Sequence, residues 1–410
     1  MAASITVLDS VGATQTVATN DAVVTQLQAP VGQFGELKTV EKTPLVEICS
    51  AFPQSILREI GAVTGSATST TTGGERRLQT TASGADAYTL LSAERGRYQP
   101  GYAAECGIGV RIPVAPVGNQ YATWGYSDGT ANGLYFGVDA TGLYVARLSN
   151  SVQTLVRQSS WNADKMNGTG LSGLTLDLTR GNIFQIVFSW YGYGVIEFQV
   201  VVLDALGKQQ VIVVHRIGVT GSVSIQEPNL PIMATVANGG TAAAFNMYVG
   251  GRQFAIVGKH QPSSRTTSAR QFLLAGITTT LTPVVSIRRK VAFYNVPTRI
   301  SGIECIATGN CQVVAMLNAT LTTPSWTSLP DTIASETAVE QDVAALTMSG
   351  GNSLYSALVD ATGSNKSQSG MLRGDGLSID IPEGQTVTLA VRAFTGTVTA
   401  SALVRMAEDW

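Results

Sequence analysis

Five carboxylates, Asp128, Asp139, Asp164, Asp177 and Glu197, fall in or near the stretch of the chain richest in aromatic residues. A pair of carboxylates can hydrolyse a glycosidic bond when it flanks that bond at about 5 to 9.5 Å. Most of these acids stand beside Gly or Asn, which is the setting of turn residues rather than of a catalytic pair. His215 follows the apolar run 211–214 and reads as a hydrogen-bonded strand histidine, not a base. A serine nucleophile on a GxSxG elbow is not expected. The sequence therefore predicts no catalytic residue and no enzyme, with a polysaccharide depolymerase as the remote alternative.

Aromatic residues offer a different chemistry, stacking against sugar rings. Residues 190–198 read as a strand in which Trp190 shares a face with Gly192, Gly194 and Ile196, while Tyr191, Tyr193, Val195 and Glu197 take the other face. Trp161, Trp190, Tyr191 and Tyr193 are the candidate contacts for a glycan or for another subunit. Large aromatics dominate cores and interfaces. Trp190 is accordingly expected in the core, and the tyrosine face is expected to meet solvent or a second subunit.

Metal and cofactor chemistry is not expected. Cys49, Cys106, Cys305 and Cys311 form no CxxC pair, and the histidines are His215 and His260 alone, too few ligands at the wrong spacing for structural zinc. Cys305 and Cys311 flank the turn signal Thr308-Gly309-Asn310 and could face each other across a hairpin, as buried thiols or as a disulfide. Ser127-Asp128-Gly129 and Asp139-Ala140-Thr141-Gly142 carry oxygen ligands but match no EF-hand loop. Arg373-Gly374-Asp375-Gly376 contains an RGD tripeptide, which reads as an ordinary Gly-Asp-Gly turn.

The elements that must position these residues are strands. Apolar and polar residues alternate with period two through 133–145, 183–202, 209–216, 285–294, 312–317 and 386–394, with turn residues about every ten positions. That spacing predicts an all-β chain of sandwiches rather than a parallel α/β sheet. Short helical turns are expected at 53–60 and 342–348. Residues 1–75 read as an extended N-terminal arm and linker, ending in the Thr-, Ser- and Gly-rich tract 64–74. Residues 76–260 read as a jelly-roll-like β-sandwich with the aromatic core, 261–270 as a polar linker, and 271–410 as a second, C-terminal β-sandwich.

Of the 410 residues, 44% are hydrophobic and only 13% charged, about half the charge of an average soluble domain. Such a surface suits repeated subunit interfaces, whose centres are depleted of charge. A net charge of −2 without a basic run argues against nucleic-acid binding. No apolar run reaches the length of a membrane span. Residues 1–9 have neither a basic start nor an apolar signal core, so secretory export is not expected.

One further pattern points to a family. Gln158-Ser159-Ser160-Trp161-Asn162, Asn167-Gly168-Thr169-Gly170 and Gly181-Asn182-Ile183-Phe184-Gln185-Ile186 follow in order. Trp190-Tyr191-Gly192-Tyr193-Gly194-Val195-Ile196-Glu197-Phe198 and Val214-His215-Arg216-Ile217 complete the run. Upstream stand Arg95-Gly96-Arg97-Tyr98-Gln99-Pro100-Gly101 and Gly133-Leu134-Tyr135-Phe136-Gly137, downstream Asn229-Leu230-Pro231. Over roughly residues 35–265, and in the strand before Glu408-Asp409-Trp410, the chain resembles a family of tailed-phage virion proteins labelled structural or fibre-like. The resemblance implies a head- or tail-attached fibre or decoration protein, made in the bacterial host cytoplasm and carried on the virion. Its expected partners are copies of itself, three-fold by analogy with phage appendages, and other virion proteins. A glycan-binding receptor-recognition protein, meeting a host surface glycan, is the alternative.

Overall fold

The computed structural model describes residues 5–8, 14–17, 42–189, 191–203, 207, 209–219, 221–258, 265–329, 337–360 and 379–409. Residues 1–41 form one unit and 42–410 another. In the first unit, β1 (Ile5–Leu8) and β2 (Thr14–Val17) pair antiparallel, with Ile5 opposite Val17 and Leu8 opposite Thr14. A ribbon thus stands within the segment expected to be an extended arm.

The second unit is all-β among the described residues, with two 3₁₀ turns and no α-helix. Its first half contains β3 (Lys42–Ile48), β4 (Glu59–Thr64), β5 (Thr68–Thr72), β6 (Glu75–Gln79), β7 (Ala87–Arg95) and β8 (Ala103–Arg111). It continues through β9 (Tyr121–Ser127), β10 (Gly133–Asp139), β11 (Gly142–Ser149), β12 (Val152–Arg157), β13 (Asn182–Phe188) and β14 (Ile196–Leu203). β15 (Gln209–Ile217), β16 (Pro231–Ala237) and β17 (Asn246–Val257) complete it. Two antiparallel sheets result. One has seven strands in the order β12-β11-β10-β9-β16-β7-β4; the other has eight, in the order β15-β14-β13-β8-β17-β6-β5, with β3 also on β17.

Each sheet turns one side inward because successive side chains on a strand point to opposite faces. Trp124 and Phe136 from the seven-stranded sheet meet Phe184 and Phe198 from the other. Ring centroids lie 5.0 Å apart for Trp124–Phe184, 4.9 Å for Phe136–Phe184 and 5.3 Å for Phe136–Phe198. Tyr126 lies 4.8 Å from Phe254 on β17. Edge-to-face and tilted contacts of this kind add to the area burial that drives the two sheets together.

The second half, from residue 265, packs a four-stranded sheet on a six-stranded one. Strand Arg265–Ile277 opens it and pairs along the closing strand Val398–Glu408. Its core is small and aliphatic, built from residues such as Val285, Ile287, Ile303, Leu389 and Met406.

Several expectations need correction. The arm-and-linker boundary at residue 75 is too late, since β3, β4 and β5 belong to the sandwich sheets. The tract 64–74 is largely the edge strand β5, whose threonines pair with β6; β-branched Thr favours extended backbone and tolerates a solvated edge. The linker at 261–270 becomes strand by Arg265 for the same reason, because ladder hydrogen bonds need no apolar side chain. At 53–60 a single turn, with Arg58 and Glu59 N–H on the Ser55 carbonyl, gives way directly to β4. Residues 343–347 hold no helix. The strand expected over 285–294 stops at Arg289, before a 3₁₀ turn at Val291–Phe293. Cys305 and Cys311 are buried free thiols in mutual hydrogen-bond contact, but their strands are not a hairpin. The turn between them hands the chain from the four-stranded to the six-stranded sheet.

A buried ion triad fastens the first sandwich. Glu59 on β4 accepts from Arg76 on β6 at 3.0 Å and from Arg252 on β17 at 2.5 Å, with all three side chains at most 2% exposed. The carboxylate belongs to one sheet and both guanidiniums to the other, so the triad sets how the sheets register. A second charged cluster joins the two halves around a cavity of about 230 Å³. There Arg95 reaches Glu383 at 2.6 Å and Arg97 reaches Asp409 at 3.3 Å. Beside them, burial, then a hydrogen bond and the charge of Asp380, push the Glu94 carboxyl up to about 8.

Three outcomes follow. Replacing Glu59 with Ala leaves two buried cations uncompensated and should cost about 3–5 kcal/mol in urea unfolding. Arg180→Ala, at an exposed pair with Asp177, should change stability by about 0.5 kcal/mol or less. Glu94 keeps its proton in the folded chain after the unfolded chain has lost it. Its contribution is therefore fully present below about pH 4.5 and is lost as pH rises through about 8. Melting temperatures between pH 5 and 8.5 should fall accordingly, and Glu94→Gln should flatten the fall; an unchanged slope in the variant would count against this assignment.

Candidate functional site

The seven-stranded sheet has a second face, and it is not polar in the ordinary way. On β9, Ala122, Trp124 and Tyr126 point into the core while Tyr121 and Thr123 point away. On β10 the inward set is Leu134, Phe136 and Val138, leaving Tyr135, Gly137 and Asp139 outside. Tyr144, Ala146 and Leu148 of β11, Met233 and Thr235 of β16, and Thr89 and Leu91 of β7 share that outer face. Tyr121, Thr123, Tyr135, Asp139, Tyr144 and Leu148, with Thr89, Leu91, Met233 and Thr235, line a groove of about 760 Å³.

One glycine, Gly137, makes room for a ring of the groove floor. Gly125 stands opposite Tyr135 and Met233, and Gly137 opposite Tyr144. A Cβ on Gly137 would overlap the Tyr144 ring, so the ring lies flat across the glycine. Tyr135 and Tyr144 are floor residues, 7% and 5% exposed, whereas Tyr121 at the rim is 37% exposed. Hydrogen-bonding groups follow the rings. The Tyr135 hydroxyl accepts from Gln153 Nε2 at 2.8 Å, and the Thr89 and Thr235 hydroxyls bond each other at 3.0 Å. Burial pushes the pKa of both floor phenols up.

The acids of the groove are already engaged. Asp139 holds Arg157 through two bonds of 2.7 and 2.8 Å, and this contact keeps its carboxyl below the usual range. Arg157 also lies 5.1 Å from the Tyr144 ring centroid. Asp128 receives the N–H groups of Thr130, Ala131 and Asn132 at 2.8 to 3.0 Å, fixing the β9–β10 turn.

The other acids behave as the turn reading expects. Asp164 accepts from the N–H groups of Met166 and Ser172, and Asp177 from that of Thr179. Glu197, on β14, pairs with Arg216 at 2.7 Å. His215 is buried on β15 with Nδ1 accepting the Asn162 N–H at 3.2 Å, and desolvation lowers its pKa.

Gly125-Tyr126-Ser127-Asp128-Gly129 does spell GxSxG, contrary to expectation. An elbow presents its serine between a strand and a helix. Here Ser127 ends a strand that turns into another strand. Its buried hydroxyl donates to the Asn132 carbonyl and accepts from the Gly129 N–H. It is a turn residue.

The aromatic candidates separate. Trp161 is 3% exposed, edge-on to Phe136 at 6.4 Å, with Nε1 donating to the Val156 carbonyl, so it is core and presents no face to a ligand. Trp190 lies outside the described residues, as do His260 and the RGD tripeptide. The strand expected over 190–198 begins only at Ile196. Tyr191 and Tyr193 sit in the β13–β14 turn, Tyr191 with φ +35° and Gly192 with φ +83°, so strand parity does not govern them. Both face solvent, 57% and 68% exposed. The groove residues were missed because Tyr135 and Tyr144 sit among core aromatics in the sequence. Parity was the available signal: Tyr135 is out of phase with Leu134 and Phe136.

No family model and no curated protein matches the sequence. Among solved structures, the chain is similar to the Emp46p carbohydrate recognition domain at 10% identity, over 54% of this chain and 100% of that one, with a TM-score of 0.34. It is similar to lectin I-B4 from Griffonia simplicifolia at 10% identity, over 52% and 99%, with a TM-score of 0.32. A carbohydrate esterase from Shiga toxin-encoding bacteriophage phi24B is similar at 14% identity, over 53% and 99%, with a TM-score of 0.30. Scores this low carry no argument about ligand or activity.

Proposed function

We propose that this protein recognises a glycan through the outer face of its seven-stranded sheet. The observation that carries the reading is the groove itself: tyrosine rings, one of them laid across Gly137, with Thr, Tyr and Gln hydrogen-bonding groups around them. Sugars present the complementary surface, with apolar C–H faces and a rim of hydroxyls. Binding pockets in general combine a largely apolar lining with a few placed polar groups. The reading is binding without hydrolysis, because Asp139 is committed to Arg157 and Asp128 to its own turn. A general acid must be able to carry a proton at working pH, and a carboxylate held by a guanidinium resists taking one.

The setting we propose is a tailed-phage virion, as a fibre or decoration protein assembled from copies of this chain. The sequence resemblance over roughly residues 35–265 supports it, as does the charged fraction of 13%. The groove puts recognition of a host surface glycan ahead of a purely architectural role.

Binding to immobilised host polysaccharide tests the reading. Tyr121→Ala removes a rim ring that contributes little to the core, so the fold should keep its melting temperature while affinity falls by about tenfold, or about 1.4 kcal/mol. Equal binding by parent and variant would remove Tyr121 from the site. Gly137→Ala should lift the Tyr144 ring and close the groove floor, costing about 1–3 kcal/mol of stability and most of the binding. A double Tyr191→Ala, Tyr193→Ala variant serves as control; loss of binding there, with the groove variants unaffected, would move the site to the β13–β14 turn.

A further inference from the structure

The groove is longer than one sugar and, among the described residues, no free positive charge lines it; both properties restrict its ligand. Its lining takes residues from every strand of the sheet, from Ala62 on β4 to Leu155 on β12. Neighbouring strands lie about 4.8 Å apart, so six gaps carry the groove roughly 29 Å across the sheet. The charged residues in the lining are both acidic, Asp128 and Asp139. Arg157, the cation beside them, is matched to Asp139 by its two parallel bonds.

We infer that the groove takes an internal segment of an extended, uncharged polysaccharide. This rests on the glycan reading above. A carboxylated or sulfated chain laid across the sheet would meet the negative charge of Asp128, because Asp139 and Arg157 neutralise each other and leave no lining cation to pair with it. Desolvating an anion without a partner is costly. Hydroxyl groups meet no such penalty, since the Tyr and Thr hydroxyls and the Gln153 amide both donate and accept. The length of the groove means that a single terminal sugar fills only part of it, so affinity should accumulate along the chain.

The test is a panel of neutral oligosaccharides and polysaccharides of increasing length, beside uronic-acid and sialylated polymers of matched length, titrated into the full chain by calorimetry. Affinity for a neutral polymer should rise at least about tenfold from disaccharide to the longest member. It should change little between low and high salt, and matched acidic polymers should bind at least about tenfold more weakly. Asp139→Asn should release Arg157 and raise affinity for the acidic polymers, with a salt dependence that the parent lacks; chemical denaturation of the same sample shows whether the variant is folded. Tighter binding of acidic polymers by the parent, or full competition by a monosaccharide, would overturn the inference and leave glycan recognition standing. Binding to no member of the panel would overturn glycan recognition and this inference with it.

Discussion

Everything the first sandwich does depends on the two-residue alternation of its seven-stranded sheet. A strand cannot place an apolar side chain inward without placing its neighbours outward. Trp124, Phe136 and Val145 commit three adjacent strands to one parity, because the opposing sheet covers them with Phe184 and Phe198. Tyr121, Tyr135 and Tyr144 are then outward by geometry alone. A register slip of one residue on any of these strands would bury a phenol in the core and put a core ring in the groove.

Glycine converts that outward face from a flat array into a groove. At Gly137 the sheet lacks a side chain beside Tyr144, and that ring lies across the vacated space. The cost is a weaker strand at that point, offset by ring packing against backbone and by the Tyr135–Gln153 bond. Such a floor is rigid, since the rings are held on both sides, and rigidity reduces the entropy a ligand must overcome.

The chain is sparing with charge and uses it in joints. Glu59 bridges the two sheets of the sandwich through Arg76 and Arg252. Arg95 and Arg97 reach across to Glu383 and Asp409 and so fix the two halves of the second unit on each other. Asp139, on the groove lining, is held by Arg157 of β12. Buried pairs of this kind add little net stability beside apolar packing of equal volume, but breaking one is expensive, which suits contacts that define a geometry.

The all-β class was legible in the sequence, because period-two alternation and frequent turns are local properties that side-chain parity enforces. So were the aromatic core around Trp124, Phe136, Phe184 and Phe198, and the turn roles of Asp128, Asp164 and Asp177, whose carboxylates bond backbone two to eight residues away. What the sequence by itself could not settle depended on pairing between distant strands. Thr68–Thr72 and the strand beginning at Arg265 look like linkers in isolation and become strands only because β6 and the closing strand Val398–Glu408 offer them ladders. The turn at Tyr191–Tyr193 interrupts what reads as one continuous strand. The groove was least legible of all. Its residues are single alternate positions drawn from seven strands spread from Ala62 to Thr235, and only the order of those strands in the sheet brings them onto one face.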